Sequence, residues 1–339
     1  MLPPPEDLPA LANVDPEIDA ILKSGRLPKP TIDFSNTNVA VKQLRAFYEQ
    51  WSDSPPVPGV SESIASYSAE DGTDLHLYVF APVDTSDNAL PVVVFFHGGG
   101  GAIGTPQSTA ALCRSLVLDH HCVVVAPQYR LAPEHRFPTG VNDAWVAVRH
   151  IASHASSLAP AADPSLGFIL GGHSHGAVLS SVLALRARDE QLSPAISGLY
   201  LGAGAFVSPT LVPNQYKPWY QSRNQEACLT APILDRQTKA MFDSAMAPDY
   251  SSPLYRAMTW PAGHAGMPKA YFQVCGMDIL RDESFIYEDV LRKEGAETRL
   301  DVYQGCPHVF WSVFFMTGQG KRWKEDTRKG MEWLLGKEN

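Results

Sequence analysis

The sequence predicts an α/β fold with a mainly parallel central sheet and helices on both faces. Short apolar runs recur from residue 91 onward, they are continuous rather than alternating, and helix-length segments separate them. A strand that is apolar at every position is buried on both faces, and sheets covered by helices on each side are where such strands occur. The 339 residues suit one large domain of this kind or two small ones.

The elements follow in chain order. "DPEIDAILKSG" has a helix start at Asp15-Pro16 and a glycine stop at Gly25. "NVAVKQLRAFYEQW" places Val41, Leu44, Phe47, Tyr48 and Trp51 at helical spacing. "SPPVPG" then separates this N-terminal arm, residues 1–60, from a catalytic domain over 61–339. "IASYSA" and "DLHLYVFAP" alternate around Asp71-Gly72 and read as an antiparallel pair. The continuous runs are 91–96, 122–127, 166–172, 198–203, 269–275 and 298–303, and helices are expected near 107–119, 138–153, 176–190, 282–294 and 321–335. The stretch at about 206–265 breaks the rhythm. It is too long for a plain connection, so it is expected to form, with the arm, a helical cap over the strand ends.

The composition narrows the function. A net charge of −9 disfavours nucleic acid and anionic lipid as partners. The longest clean apolar stretch, "PVVVFF", is too short to span a membrane, and the proline-rich, acidic N-terminus has no signal-peptide pattern. Five scattered cysteines without a CxxC read as buried free thiols of a reducing, cytoplasmic protein. His120, His121, His135, His150 and His154 lack ligand spacing, and no dinucleotide fingerprint follows a first strand, so no metal and no cofactor is expected. The expected partner is a small-molecule ester, and a homodimer is compatible with these features.

Reactive groups in open α/β sheets gather beyond the carboxyl ends of the strands. After "LGFILGG" comes Gly172-His173-Ser174-His175-Gly176, a G-x-S-x-G between a strand and a helix. Such a turn exposes only its central side chain, so Ser174 is the expected nucleophile. His173 and His175 would point away from the cleft. The His175 backbone N–H is expected to donate to an oxyanion, while the His173 ring packs or hydrogen-bonds beneath the turn. After "PVVVFF" comes His97 and four glycines, whose bare amides suit an oxyanion hole at Gly99 and Gly100. Asp278 follows the run ending at Cys275, and His308 follows the last strand. The chain order Ser174, Asp278, His308 matches a nucleophile, an orienting acid and a general base. Asp282 and Asp301 are the reserve acids, less well placed inside a helix and a strand.

"HGGG" at 97–100, "YRLAPEHRFP" at 129–138, the G-x-S-x-G turn, "GMDILRDE" at 276–283 and "PHVF" at 307–310 resemble the hormone-sensitive-lipase-like carboxylesterases, a branch of the α/β-hydrolases similar also to the arylacetamide deacetylase group. The resemblance implies the α/β-hydrolase fold, with Ser174, His308 and Asp278 as triad and the Gly99, Gly100 and His175 amides as oxyanion hole. It also implies a supporting role for Glu134. The family pattern G-D-S-A-G-G is altered here, with His173 and His175 in place of Asp and Ala and Ala177 in place of the last glycine. The implied activity is hydrolysis of a carboxylic ester through an acyl-enzyme, and the aromatic residues Tyr216, Trp219, Tyr220, Phe242 and Trp260 of the expected cap point to an apolar or aromatic substrate, unless they belong to the core. Relatives on this scaffold also run eliminations or cyclisations, and some only bind a ligand. The retained Ser174, Asp278 and His308 argue against a pure receptor.

Overall fold

The computed structural model describes residues 2–50, 55–84 and 88–337. Trp51 and the start of the proline-rich separator lie outside the described residues. Eight strands form one sheet in the order β1-β2-β4-β3-β5-β6-β7-β8. They are β1 (Val60–Ser68), β2 (Asp74–Pro82), β3 (Val92–Phe96), β4 (Val123–Pro127), β5 (Phe168–His173), β6 (Gly198–Gly202), β7 (Lys269–Met277) and β8 (Thr298–Pro307). β1 pairs with β2, and β2 with β4, in antiparallel register; every pairing from β4 to β8 is parallel.

β3 shows why its sequence carries no alternation. Val92, Val94 and Phe96 enter one apolar cluster, while Val93 and Phe95 enter another on the opposite face. All five are at most 1% exposed, and each such side chain contributes roughly 1.5–3 kcal/mol by leaving water. The first cluster is closed by α4 (Thr139–Leu158), α5 (His175–Asp189) and α8 (Arg281–Lys293), the second by α3 (Ala110–His120) and α9 (Gly318–Leu334). The arm carries α1 (Pro16–Lys23) and α2 (Thr37–Glu49), and the 206–265 stretch carries α6 (Glu226–Leu229) and α7 (Arg236–Met246). Asp15 caps α1 by accepting from the Glu17 and Ile18 amides, as the Asp15-Pro16 start implies.

In the proline-rich N-terminus, residues Pro5–Ala12 form a 3₁₀ helix whose first proline presets the required φ. This segment is stitched to the 206–265 stretch: Trp219, Gln221 and Gln225 side chains donate to the carbonyls of Pro3, Pro5 and Pro9. Further along, α2 packs on α7, with Thr37 Oγ1 2.9 Å from Ser244 Oγ. All five cysteines are buried and free. Among the described residues no helix is long and apolar enough to cross a membrane.

Because β3 and β5 to β8 run parallel, their carboxyl ends share one edge. His97, Ser174, Asp278 and His308 each follow directly on the last residue of β3, β5, β7 and β8.

Candidate active site

Ser174 links β5 to α5 with φ 54° and ψ −117°. A non-glycine residue at positive φ costs energy, and surrounding structure must enforce it. Enforcement comes from a hydrogen bond of the Ser174 N–H to the Gly202 carbonyl at 2.7 Å and from close packing of the flanking glycines. A Cβ on Gly172 would lie 2.6 Å from the Phe96 carbonyl oxygen, and one on Gly176 would collide with the same oxygen. Glycine at both positions therefore lets the turn lie against β3.

His308 reaches back across the strand ends to the serine. Its Nε2 is 2.8 Å from Ser174 Oγ and its Nδ1 is 2.6 Å from Asp278 Oδ2. Asp278 is 1% exposed and His308 is 4% exposed, so water competes little for either bond. The other Asp278 oxygen accepts the Leu280 amide at 2.9 Å, which fixes the carboxylate. A carboxylate at Nδ1 favours the tautomer with a proton there and leaves Nε2 as acceptor for the serine hydroxyl. The reserve acids lie elsewhere. Asp282 accepts the backbone amides of Gln221 and Ser222, and Asp301 accepts the Tyr271 hydroxyl.

The glycine loop after β3 lies beside this line. Gly99, Gly100 and Gly101 all have positive φ, and a Cβ on Gly98 would approach Ser174 Cβ to 3.3 Å. The Gly99 carbonyl accepts the Ala102 and Ile103 amides. Among the described residues the N–H groups of Gly99, Gly100 and His175 have no protein acceptor. Three bare amides beside a serine hydroxyl suit a developing negative oxygen. The loop is held from behind: Tyr129 stacks on His97 at 4.3 Å and donates to the His97 carbonyl. Arg45, from α2, donates to the Ala102 and Ala132 carbonyls and to both Glu134 oxygens, each at 2.8 Å. Glu134 thus supports the site through an arm residue, a partnership that no local spacing in the sequence reveals.

The flanking histidines do not approach the serine as bases. His173 Nε2 faces the Tyr200 hydroxyl at 3.1 Å, and Trp311 Nε1 lies 3.4 Å from His173 Nδ1. His175 packs with Tyr129 and against Gly101. Loss of solvation, with the neighbouring His308, holds His173 down to about 3. Burial, together with Arg256 and His97, does the same for His175. Both rings are therefore neutral at ordinary pH.

The aromatic residues of the 206–265 stretch divide into two groups. Tyr216 donates to Asp289, Trp219 to Pro3, Tyr220 to Glu283 and Trp260 to Asp189. These four are engaged in holding the stretch down. Phe242 alone among the five meets the glycine loop, lying where a Cβ of Gly100 would be. A cavity of about 510 Å³ opens behind that loop, lined by His97, Tyr129 and the Arg45–Glu134 pair, and Ser174 does not line it.

Comparison with known proteins places this geometry in a family. A family model described as the α/β hydrolase fold matches residues 93–312, more than half of the chain. The chain belongs to the α/β-hydrolase family, in its hormone-sensitive-lipase-like carboxylesterase branch. It is 32% identical to the carboxylesterase NlhH of Mycobacterium tuberculosis over 294 residues, covering 84% of this chain and 86% of that one. It is 34% identical over 328 residues to an AB hydrolase superfamily protein of Schizosaccharomyces pombe, covering 95% and 94%. Among solved structures it is similar to vibralactone cyclase, with a TM-score of 0.85 and 28% identity over 97% of this chain and 96% of that one.

Proposed function

We propose that this carboxylic-ester hydrolase works through Ser174 as nucleophile, His308 as general base and Asp278 as the acid that orients it. The observation that carries the reading is the unbroken line Asp278 Oδ2–His308–Ser174 Oγ, its acid and base buried, its serine half-buried and flanked by bare amides. Ser174 Oγ attacks the ester carbonyl as His308 Nε2 takes its proton. The Gly99, Gly100 and His175 amides receive the oxyanion. His308 then returns the proton to the leaving alcohol, and water, activated in the same way, releases the acid from Ser174.

The arm and the 206–265 stretch act together as the cap. Their support is mutual contact, through α2 on α7 and through the stitches to Pro3, Pro5 and Pro9. Phe242 and Met246, set against Gly100 and Gly101, support an apolar or aromatic body in the ester. A second reading, intramolecular attack on the acyl group with ring closure, is favoured by the likeness to vibralactone cyclase. In that reaction an alcohol within the substrate replaces water.

A rapid-mixing experiment with 4-nitrophenyl acetate and butyrate tests the reading. A burst of nitrophenol with an acyl adduct on Ser174, followed by steady release of the free acid, is expected. Folded protein that gives neither burst nor turnover overturns it. Release of a ring-closed product from hydroxyacyl esters, in place of the hydroxy acid, selects the second reading.

A further inference from the structure

Beyond the triad, a buried charge cluster lies on the insertion side of the glycine loop. α7 presents Lys239, Phe242, Asp243 and Met246 at i, i+3, i+4 and i+7, hence on one face. Phe242 and Met246 meet Gly100 and Gly101. One turn away on the same face, Lys239 is paired with Asp243 at 2.5 Å. Next to Asp243 stands the Tyr255 hydroxyl, at 3.5 Å, which accepts from Arg256 NH2 at 2.9 Å. The Arg256 charge also acts on the His175 ring, whose Nε2 faces Gly101. Arg256 is therefore linked through Tyr255 and Asp243 to the face of α7 that meets the glycine loop.

Arg256 is unusual for a buried cation. It is 5% exposed, and it has no carboxylate partner among the described residues. Its NH1 and NH2 donate to the carbonyl and hydroxyl of Tyr255, and its Nε is buried with no acceptor among the described residues. The neighbouring cations are already matched, Lys239 with Asp243 and Arg223 with Glu283. Three cations against two carboxylates leave one positive charge in excess. The guanidinium lies 3.6 Å over the Tyr255 ring, which offsets part of the cost of burying a charge without a carboxylate, and an incoming anion offsets more of it. One excess charge matches a monoanion such as a carboxylate better than a phosphate dianion, and the Nε–H, still without an acceptor among the described residues, is a donor such a group can take.

Resting on the proposed ester hydrolysis, we propose that Arg256 is a specificity residue that receives a carboxylate carried by the substrate. The preferred substrate is then an ester with an apolar body and one free carboxylate, such as a half-ester of a dicarboxylic acid.

The test uses the full chain and matched pairs of esters. One pair is the 4-nitrophenyl half-esters of succinate and glutarate against their methyl-capped neutral forms. The other is acetoxybenzoate against its methyl ester, which puts the carboxylate on the alcohol side. Wild type is expected to favour the acid of at least one pair by about tenfold or more in kcat/KM, chiefly through KM. Arg256→Gln and Arg256→Met should abolish that preference while neutral esters stay within about threefold, and Arg256→Lys should keep part of it. Parity of acid and neutral ester in wild type, or a preference that survives both Gln and Met, overturns the proposal. Calorimetric binding of glutarate and benzoate separates the two levels. If no ester is cleaved but wild type binds either anion and Arg256→Gln does not, the hydrolytic reading fails while the carboxylate site at Arg256 stands. If no ester is cleaved and neither anion binds, that site fails as well.

Discussion

The turn after β5 and the loop after β8 both bring histidine to Ser174, and the two regions treat it in opposite ways. His308 has a buried carboxylate on one ring nitrogen and the serine hydroxyl on the other. His173, adjacent to the serine in sequence, has the Trp311 indole N–H at Nδ1 and the Tyr200 hydroxyl at Nε2. Tyr200 donates onward to Gln273, whose amide reaches Tyr271, Tyr303 and Thr327. A ring held by neutral donors and acceptors stays neutral and rigid, whereas a ring held by a carboxylate can accept and return a proton. Sequence proximity to the proposed nucleophile is thus a poor guide to basicity; the group on the far ring nitrogen decides.

The largest effect should separate these two regions. Ser174→Ala and His308→Ala are expected to lower kcat by roughly 10⁶-fold, and Asp278→Asn by about 10⁴-fold. His173→Asn and His175→Gln should each cost less than about tenfold, since neither ring transfers the proton. Steady-state kinetics on one ester compares all five, and a His173→Asn loss equal to that of His308→Ala would break the contrast. Next in size is Gly99→Ala. A Cβ there would stand 2.6 Å from the Ile103 carbonyl carbon on a backbone at φ +107°, so the amide must move, with an expected loss of about 10²- to 10³-fold in kcat.

Arg45→Ala sharpens the comparison from outside the site. It removes the bonds to Ala102 and Ala132 that hold the glycine loop. A decrease of roughly 10- to 100-fold, in kcat rather than KM, is expected for a loop displaced by a fraction of an ångström. The smallest effect is on stability. His97, His173 and His175 are all held below the usual histidine value by burial, to about 4, about 3 and about 3. The unfolded chain binds protons at these rings below about pH 6.5 and the folded chain does not, so stability is full above that pH and falls as pH drops toward 4. Each ring steepens the decline by up to about 1.4 kcal/mol per pH unit. Denaturant titrations between pH 7 and 4.5 should show a shallower slope in His175→Gln.

Much of this was readable in the sequence because the parallel strands are buried on both faces. Runs such as "PVVVFF" mark their own ends, and strand ends are where the chemistry collects. The proposed triad of Ser174, Asp278 and His308, and the glycine loop, could be put forward from that alone. The insertion was less legible. Its aromatic residues are apolar in sequence, but apolarity does not say which face a ring turns to, and four of the five use their polar atoms to anchor the stretch. Arg45 and Arg256 were invisible for a related reason. Arg45 acts on carbonyls 57 and 87 residues away, and Arg256 draws its meaning from pairs that neighbouring cations have already formed.

The contrast between the histidines depends on Ser174 being activated by His308 and by nothing else nearby. Intact-mass measurement after treatment with a fluorophosphonate tests this directly. The expected result is one adduct, on Ser174, in wild type, His173→Asn and His175→Gln, and its loss in His308→Ala. Folded wild type that takes up no label, or a His308→Ala variant that labels at the wild-type rate, would contradict it.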